Sequence, residues 1–198
     1  MTENATKDVL EFIKLTHQFQ NVERTIDLPN RSHRENDAEH SYQLAMVAWY
    51  IISKHKLPLD LSLVLKYALA HDLVEAYAGD TFFYSTDPNK DKKKKEREAL
   101  AQIKIQEQFP DFKDLHHLIK DYEKQTYQEA QFVHALDKLL PIWNIYLNNG
   151  ETWKKENITL AILVEKKIQK IKKSEVVQKY FDETLKLLEE DKENLFPV

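Results

Sequence analysis

At 198 residues and 23.5 kDa the chain falls in the size range of one domain, and 42% hydrophobic with 31% charged residues describes a protein able to bury roughly two-thirds of its unfolded surface, which excludes global disorder. Lys and Arg number 29 against 33 Asp and Glu, a formal net charge of -4 that gives no general attraction to polyanions, so no nucleic-acid partner is expected. Cysteine is absent and glycine occurs only as Gly79 and Gly150, which removes disulfides, thiolate metal sites and cysteine nucleophiles and disfavours all-β and glycine-rich nucleotide folds.

Apolar residues recur at helical spacing almost throughout, which predicts an all-α fold. A first helix spans Thr6 to Gln20 with Val9, Leu10, Phe12, Ile13 and Phe19 inward, and an irregular polar stretch runs from Asn21 to Asn36. Asp37 can cap a helix reaching Lys54, and Pro58 with Asp60 opens another that runs to Ala78 and stops at Gly79. A loop from Thr81 to Asp91 leads into Lys92 to Lys95, a solvated helix end that can still lie near an anionic ligand, and the helix ends before Pro110. After a short helix behind Asp111, Thr126 and Glu129 read as a capping box for a long helix to Leu147. Two amphipathic helices, near Asn157 to Lys172 and Ser174 to Glu190, finish the chain.

Several polar residues interrupt apolar helical faces. In YALAHDLVEAYAGD, His71, Asp72 and Glu75 stand where core residues are expected, and a buried carboxylate needs a metal or a matched cation. On a continuous helix Glu75 lies one turn beyond His71 and Asp72 on the same face. His40 sits in DAEHSYQLAMVAWY, and Asp137 in FVHALDKLLPIW, amid Phe132, Val133, Leu136, Leu139 and Leu140. Each alone reads as a satisfied core histidine or a capping aspartate; together their bland explanations would all have to hold. Two imidazoles and two carboxylates suit Mn, Fe, Co, Ni or Zn as a divalent ion. Arg24, Arg31 and Arg34 precede His40 and offer guanidinium groups for a phosphate.

The ordered pattern His40, His71-Asp72 and Asp137 resembles the H…HD…D signature of the HD-domain phosphohydrolases, and RENDAEHSYQLAMVA, HDLVEAYAGD and EAQFVHALDKL are similar to the bacterial 5′-deoxynucleotidase branch. The resemblance covers about residues 10 to 150 and implies a single HD-domain helical bundle over residues 1–198, with two additional C-terminal helices outside the motif. It implies that His40, His71, Asp72 and Asp137 hold one divalent metal ion, and that Glu75 and Asp80 position the nucleophilic water and assist proton transfer. It further implies that Arg24 contacts the substrate, with Thr81 beside it and Arg34 in contact with substrate or bracing the acidic groups. The expected activity is a metal-dependent phosphomonoesterase releasing phosphate from nucleoside 5′-monophosphates, and the expected assembly is a homodimer; Ile158, Ile162 and Ile168 suit either its interface or packing on the core.

Thr25 and Ile26 follow Arg24 where the deoxynucleotidase branch carries a tryptophan against the sugar, so selectivity for deoxyribose is expected to be weak. Phe82, Phe83 and Tyr84 can stack on a base or pack on a neighbouring helix. His116 and His117 diverge on their helix, and His134 reads as core. Another small phosphate ester, a nucleotide second messenger or a non-catalytic nucleotide-binding role are the competing readings; serine-hydrolase and P-loop motifs are absent. Met1 to Asp8 carry no basic segment followed by an apolar run, and no stretch nears the ~18 apolar residues of a membrane span, so a cytoplasmic protein without a membrane partner is expected.

Overall fold

The computed structural model describes residues 5–30, 32–81, 83–84 and 88–197, so Arg31 and Phe82 lie outside the described residues. The described chain is 73% helical with one small sheet. No helix among the described residues is long and apolar enough to cross a membrane.

Helix α1 (Ala5–Gln20) buries Leu15 and Phe19, with Phe12 packed beside them, whereas Val9, Leu10 and Ile13, expected inward, are exposed. The stretch expected to be irregular forms an antiparallel hairpin of β1 (Glu23–Asp27) and β2 (Arg34–Asn36). Glu23 pairs with Asn36 and Asp27 with Arg34, so five residues of β1 oppose three of β2 and the ladder is irregular between them. Three charges in β1 and two in the three residues of β2 hid it from hydrophobic alternation.

Helix α2 (Asp37–His55) starts from Asn36, not Asp37: the Asn36 side chain accepts from the Glu39 N–H, and Glu39 returns to the Asn36 N–H. Asp60 caps α3 (Leu61–Ala70) as expected, accepting from the Leu63 N–H. The expected continuous helix to Ala78 is broken. Residues 71–74 form tight turns, with Leu73, Glu75 and Ala76 N–H groups bonding three residues back, before α4 (Glu75–Ala78) ends at Gly79 with φ 72°. Helices α5 (Lys90–Gln108) and α6 (Lys113–Lys124) follow.

Helix α7 (Gln128–Leu147) forms the axis, packing on α2, α3 and α6. Its expected Thr126–Glu129 cap does not form: Tyr127 is the cap residue, and Glu129 instead accepts from the Asp60 N–H. The remaining helices are α8 (Glu151–Lys155), α9 (Leu160–Ile171), α10 (Glu175–Glu190) and α11 (Lys192–Leu195). Both α9 and α10 pack on α7. Ile158 is therefore buried and Ile162 and Ile168 half-buried against the core, which favours core packing over an interface for them.

Candidate active site

Three separate elements bring the expected quartet together. His40 comes from the first turns of α2, His71 and Asp72 from the turn after α3, and Asp137 from mid-α7. One ligand atom from each lies within 4.8 Å of the others. His40, His71 and Asp137 are nearly inaccessible to solvent.

The donor set fits a metal ion. His71 Nδ1 lies 3.0 Å from the Ala68 carbonyl, which fixes the N–H there and turns the Nε2 lone pair inward. That Nε2 is 2.9 Å from Asp72 Oδ2 and 3.7 Å from Asp137 Oδ1, yet no hydrogen bond of good alignment satisfies it. His40 Nε2 is 3.0 Å from Asp137 Oδ1, and its Nδ1 faces Glu35 Oε2 at 3.6 Å. These residues could hold one divalent cation, with the outer carboxylate of Glu35 orienting His40. Pro141, four residues beyond Asp137, removes the helical N–H that would otherwise bond the Asp137 carbonyl.

Beside this quartet Arg24 is almost enclosed. Its Nη1 donates to Asp37 Oδ1 at 3.1 Å and to Asp72 Oδ2 at 3.2 Å, and its Nε lies 3.2 Å from Glu35 Oε2. Burial pushes Asp37 up to about 6, with Asp72 adding to it and Arg24 opposing. Against the upward push of burial, His71 and Arg24 hold the Asp72 carboxyl well below the usual range.

Glu75 is buried at 2% exposure. Its Oε1 accepts from Lys94 Nζ at 3.0 Å, while Oε2 has no partner. Burial and the Asp72 charge drive its carboxyl well above the usual range, with Lys94 opposing. Arg34 is a correction: its half-exposed guanidinium lies 3.8 Å from Asp27 Oδ1 and does not line the pocket. The hairpin turns it outward while Arg24 points in.

An open pocket lined by Arg24, Asp72, Glu75 and Asp137 joins these groups. Asp80 and Thr81 line it, and the Thr81 hydroxyl accepts from Arg97. Thr25, Phe83 and Tyr84 line it too. Its opposite wall is apolar, built by Ile26, Pro141, Ile142, Ile145 and Ile158 with Trp153. The Trp153 ring stacks on Phe196 at 4.6 Å, and its buried N–H has no hydrogen-bond partner.

Glu35, Asp37, Lys94, Lys138, Lys167 and Trp153 were not singled out by sequence. Lys94 carried a signal only as part of the lysine run, and Lys138 only as the neighbour of Asp137. Of the bland histidines, His116 Nε2 lies 2.7 Å from the Phe109 carbonyl, and His134 packs on Tyr122 with ring centroids 6.0 Å apart.

Comparison with known proteins is consistent with this geometry. A family model described as HD domain matches residues 16–179. The human protein named 5′-deoxynucleotidase HDDC2 is 32% identical over 138 residues, covering 68% of this chain and 65% of that protein. Its bovine counterpart is 30% identical over 141 residues, covering 70% and 66%. The chain thus spans just under two thirds of the length of these relatives. Among solved structures, a predicted metal-dependent phosphohydrolase from Magnetospirillum magnetotacticum MS-1 superposes with a TM-score of 0.83 at 26% identity, over 99% of this chain and 97% of that one. An HD-domain phosphohydrolase from Listeria innocua shares the fold, with a TM-score of 0.64 at 16% identity over 89% and 87% of the two chains.

Proposed function

This chain belongs to the HD domain family, and from that footing we propose that it is a metal-dependent phosphomonoesterase that releases phosphate from nucleoside 5′-monophosphates. The observation that carries the reading is one pocket that meets three things at once: the His40, His71, Asp72 and Asp137 donor set through Asp72 and Asp137, a buried Glu75 with an unpartnered oxygen, and an apolar wall. The similarity to proteins named 5′-deoxynucleotidase supports the substrate class. A non-catalytic binding role would not call for the Glu75 arrangement.

A bound divalent ion, with Mn, Fe, Co, Ni and Zn all compatible with N/O donors, supplies Lewis-acid polarisation of a phosphoryl oxygen and activation of water. The chain's own groups do the rest. Glu75 exchanges protons at Oε2 while Lys94 holds Oε1, and Asp80, on the same pocket wall, assists transfer to the leaving oxygen. Arg24 locks Asp72 in orientation and presents its remaining edge to the phosphate. The base lies against Ile142, Ile145 and Ile158, where the Trp153 N–H can donate to a ring acceptor, and Thr25 meets the sugar.

Phosphate release from a panel of phosphorylated metabolites, with each divalent ion and after chelation, tests the reading. Chelation should abolish turnover and Glu75→Gln should retain metal while losing ~10²-fold or more in kcat. Ribo- and deoxyribonucleotides should differ by less than about tenfold in kcat/KM, because Thr25 is too small to exclude a ribose hydroxyl. No release from any nucleotide with any ion would refute it.

The protein is further proposed to form a homodimer. Tyr42, Met46, Trp49 and Tyr50 recur at helical spacing on α2 and are exposed, an apolar stripe of the kind that associates. Sedimentation should show a dimer that Trp49→Glu dissociates; an unaltered species would locate the contact elsewhere.

A further inference from the structure

Helix α9 lies outside the motif-bearing segments, yet it sends a lysine into the pocket. Lys167 is only 3% exposed, and its Nζ sits 4.0 Å from the Phe83 ring centroid and 5.8 Å from that of Tyr84. Among the described residues four cations line the pocket: Arg24, Lys94, Lys138 and Lys167. Three are committed to carboxylates. Arg24 engages Asp37 and Asp72, Lys94 engages Glu75 at 3.0 Å, and Lys138 Nζ lies 2.5 Å from Asp137 Oδ2. Among the described residues Lys167 alone of the four has neither an ion-pair nor a hydrogen-bond partner.

Such burial is costly. An ammonium withdrawn from water must regain its lost hydration from a counter-charge, and an aromatic face returns only part of it. Burial and the nearby Lys138 and Lys170 charges push the Lys167 amine well below its ordinary range, with Asp137 opposing but making no ion pair with it. Lys170 adds to the same positive side, 4.5 Å from the Phe83 ring. The missing partner is an anion that enters through the pocket mouth, and its charge must satisfy a cation seated beside others.

We infer that Lys167, steadied by the Phe83 ring and aided by Lys138, is a phosphate-binding residue that holds the phosphoryl group of the substrate and the inorganic phosphate left after hydrolysis. Naming the substrate rests on the phosphomonoesterase reading; phosphate binding itself does not. A phosphate dianion suits this wall better than a carboxylate, because its several terminal oxygens can meet Lys167 and Lys138 together. The C-terminal helices thereby complete the site.

The test is calorimetric titration of the metal-loaded full chain with inorganic phosphate, and separately with a neutral nucleoside, for the wild type, Lys167→Met and Lys167→Arg. Lys167→Met should weaken phosphate binding tenfold or more while nucleoside affinity and metal content stay unchanged, and Lys167→Arg should stay within a few-fold of wild type. Removing an unpaired buried charge should leave the melting temperature equal or higher. Wild-type phosphate affinity in Lys167→Met, or equal weakening towards phosphate and nucleoside, would overturn the assignment. A protein that hydrolyses no phosphate ester yet loses phosphate affinity on Lys167→Met would refute the esterase reading while upholding this one.

Discussion

Lys94 reaches Glu75 from the second turn of α5, across the 79–89 connection, and it also contacts Glu98 at 3.3 Å. Lys94 holds Glu75 Oε1 and leaves Oε2 without a partner, so on the proposed reaction, in which Oε2 exchanges protons, Lys94 is a positioning residue. Lys94→Met should lower kcat on the order of tenfold with KM and melting temperature little changed, and Lys94→Arg should restore most of it. A change confined to KM would point to a direct substrate contact instead. Lys94 also shows why the site was only partly legible in the chain. His40, His71, Asp72, Glu75 and Asp137 announced themselves because a polar residue on an apolar helical face demands compensation. Lys94 and Lys167 sit in charge-rich stretches, where a lysine facing inward reads the same as its solvated neighbours. Arg34 failed for a related reason: the sequence supplied arginines before His40 but not the hairpin that points one inward and another out.

The elements carry a second lesson, about breaks. Helical periodicity continues through His71 to Ala78, so a single helix was the natural expectation; tight turns at 71–74 interrupt it where His71 and Asp72 meet His40 of α2 and Asp137 of α7. The quartet still converges, because His71 and Asp72 are adjacent in the chain and need no helix beyond them to meet His40 and Asp137. Short α8 and α11 escaped detection because four or five residues hold too little periodicity. They meet at Gly150, whose φ of +72° and lack of a side chain are both required: a Cβ there would lie 2.0 Å from the Leu195 carbonyl oxygen. Gly150→Ala should therefore destabilise the protein by about 2 kcal/mol or more, since backbone must move and the Trp153–Phe196 stack beside it loosens. Denaturant unfolding measures it, and a loss under about 0.5 kcal/mol, the size of an ordinary surface change, would show that α11 is free to shift.

At the scale of the whole molecule, α7 ties the site to global stability, because the helix that supplies Asp137 also anchors α2, α3, α6, α9 and α10. His134, one turn before Asp137, shows how that coupling responds to pH. Burial pushes its imidazole down to about 3, with Lys138 pushing the same way and Asp137 opposing. In the unfolded chain a histidine titrates near 6.5. Above that pH both states carry neutral imidazole and His134 contributes nothing to pH dependence. Between 6.5 and 3 the unfolded chain binds a proton that the folded protein refuses, so stability falls as pH is lowered, by up to about 1.4 kcal/mol per unit for this group. His134→Gln removes the titration while keeping a polar side chain of similar reach. The difference in unfolding free energy between the variant and the wild type should therefore shift in favour of the variant by up to about 2 kcal/mol between pH 7 and pH 5. Parallel stability curves for the two proteins across that interval would mean that His134 takes up its proton in the folded state and that the α6–α7 contact with Tyr122 opens to admit it.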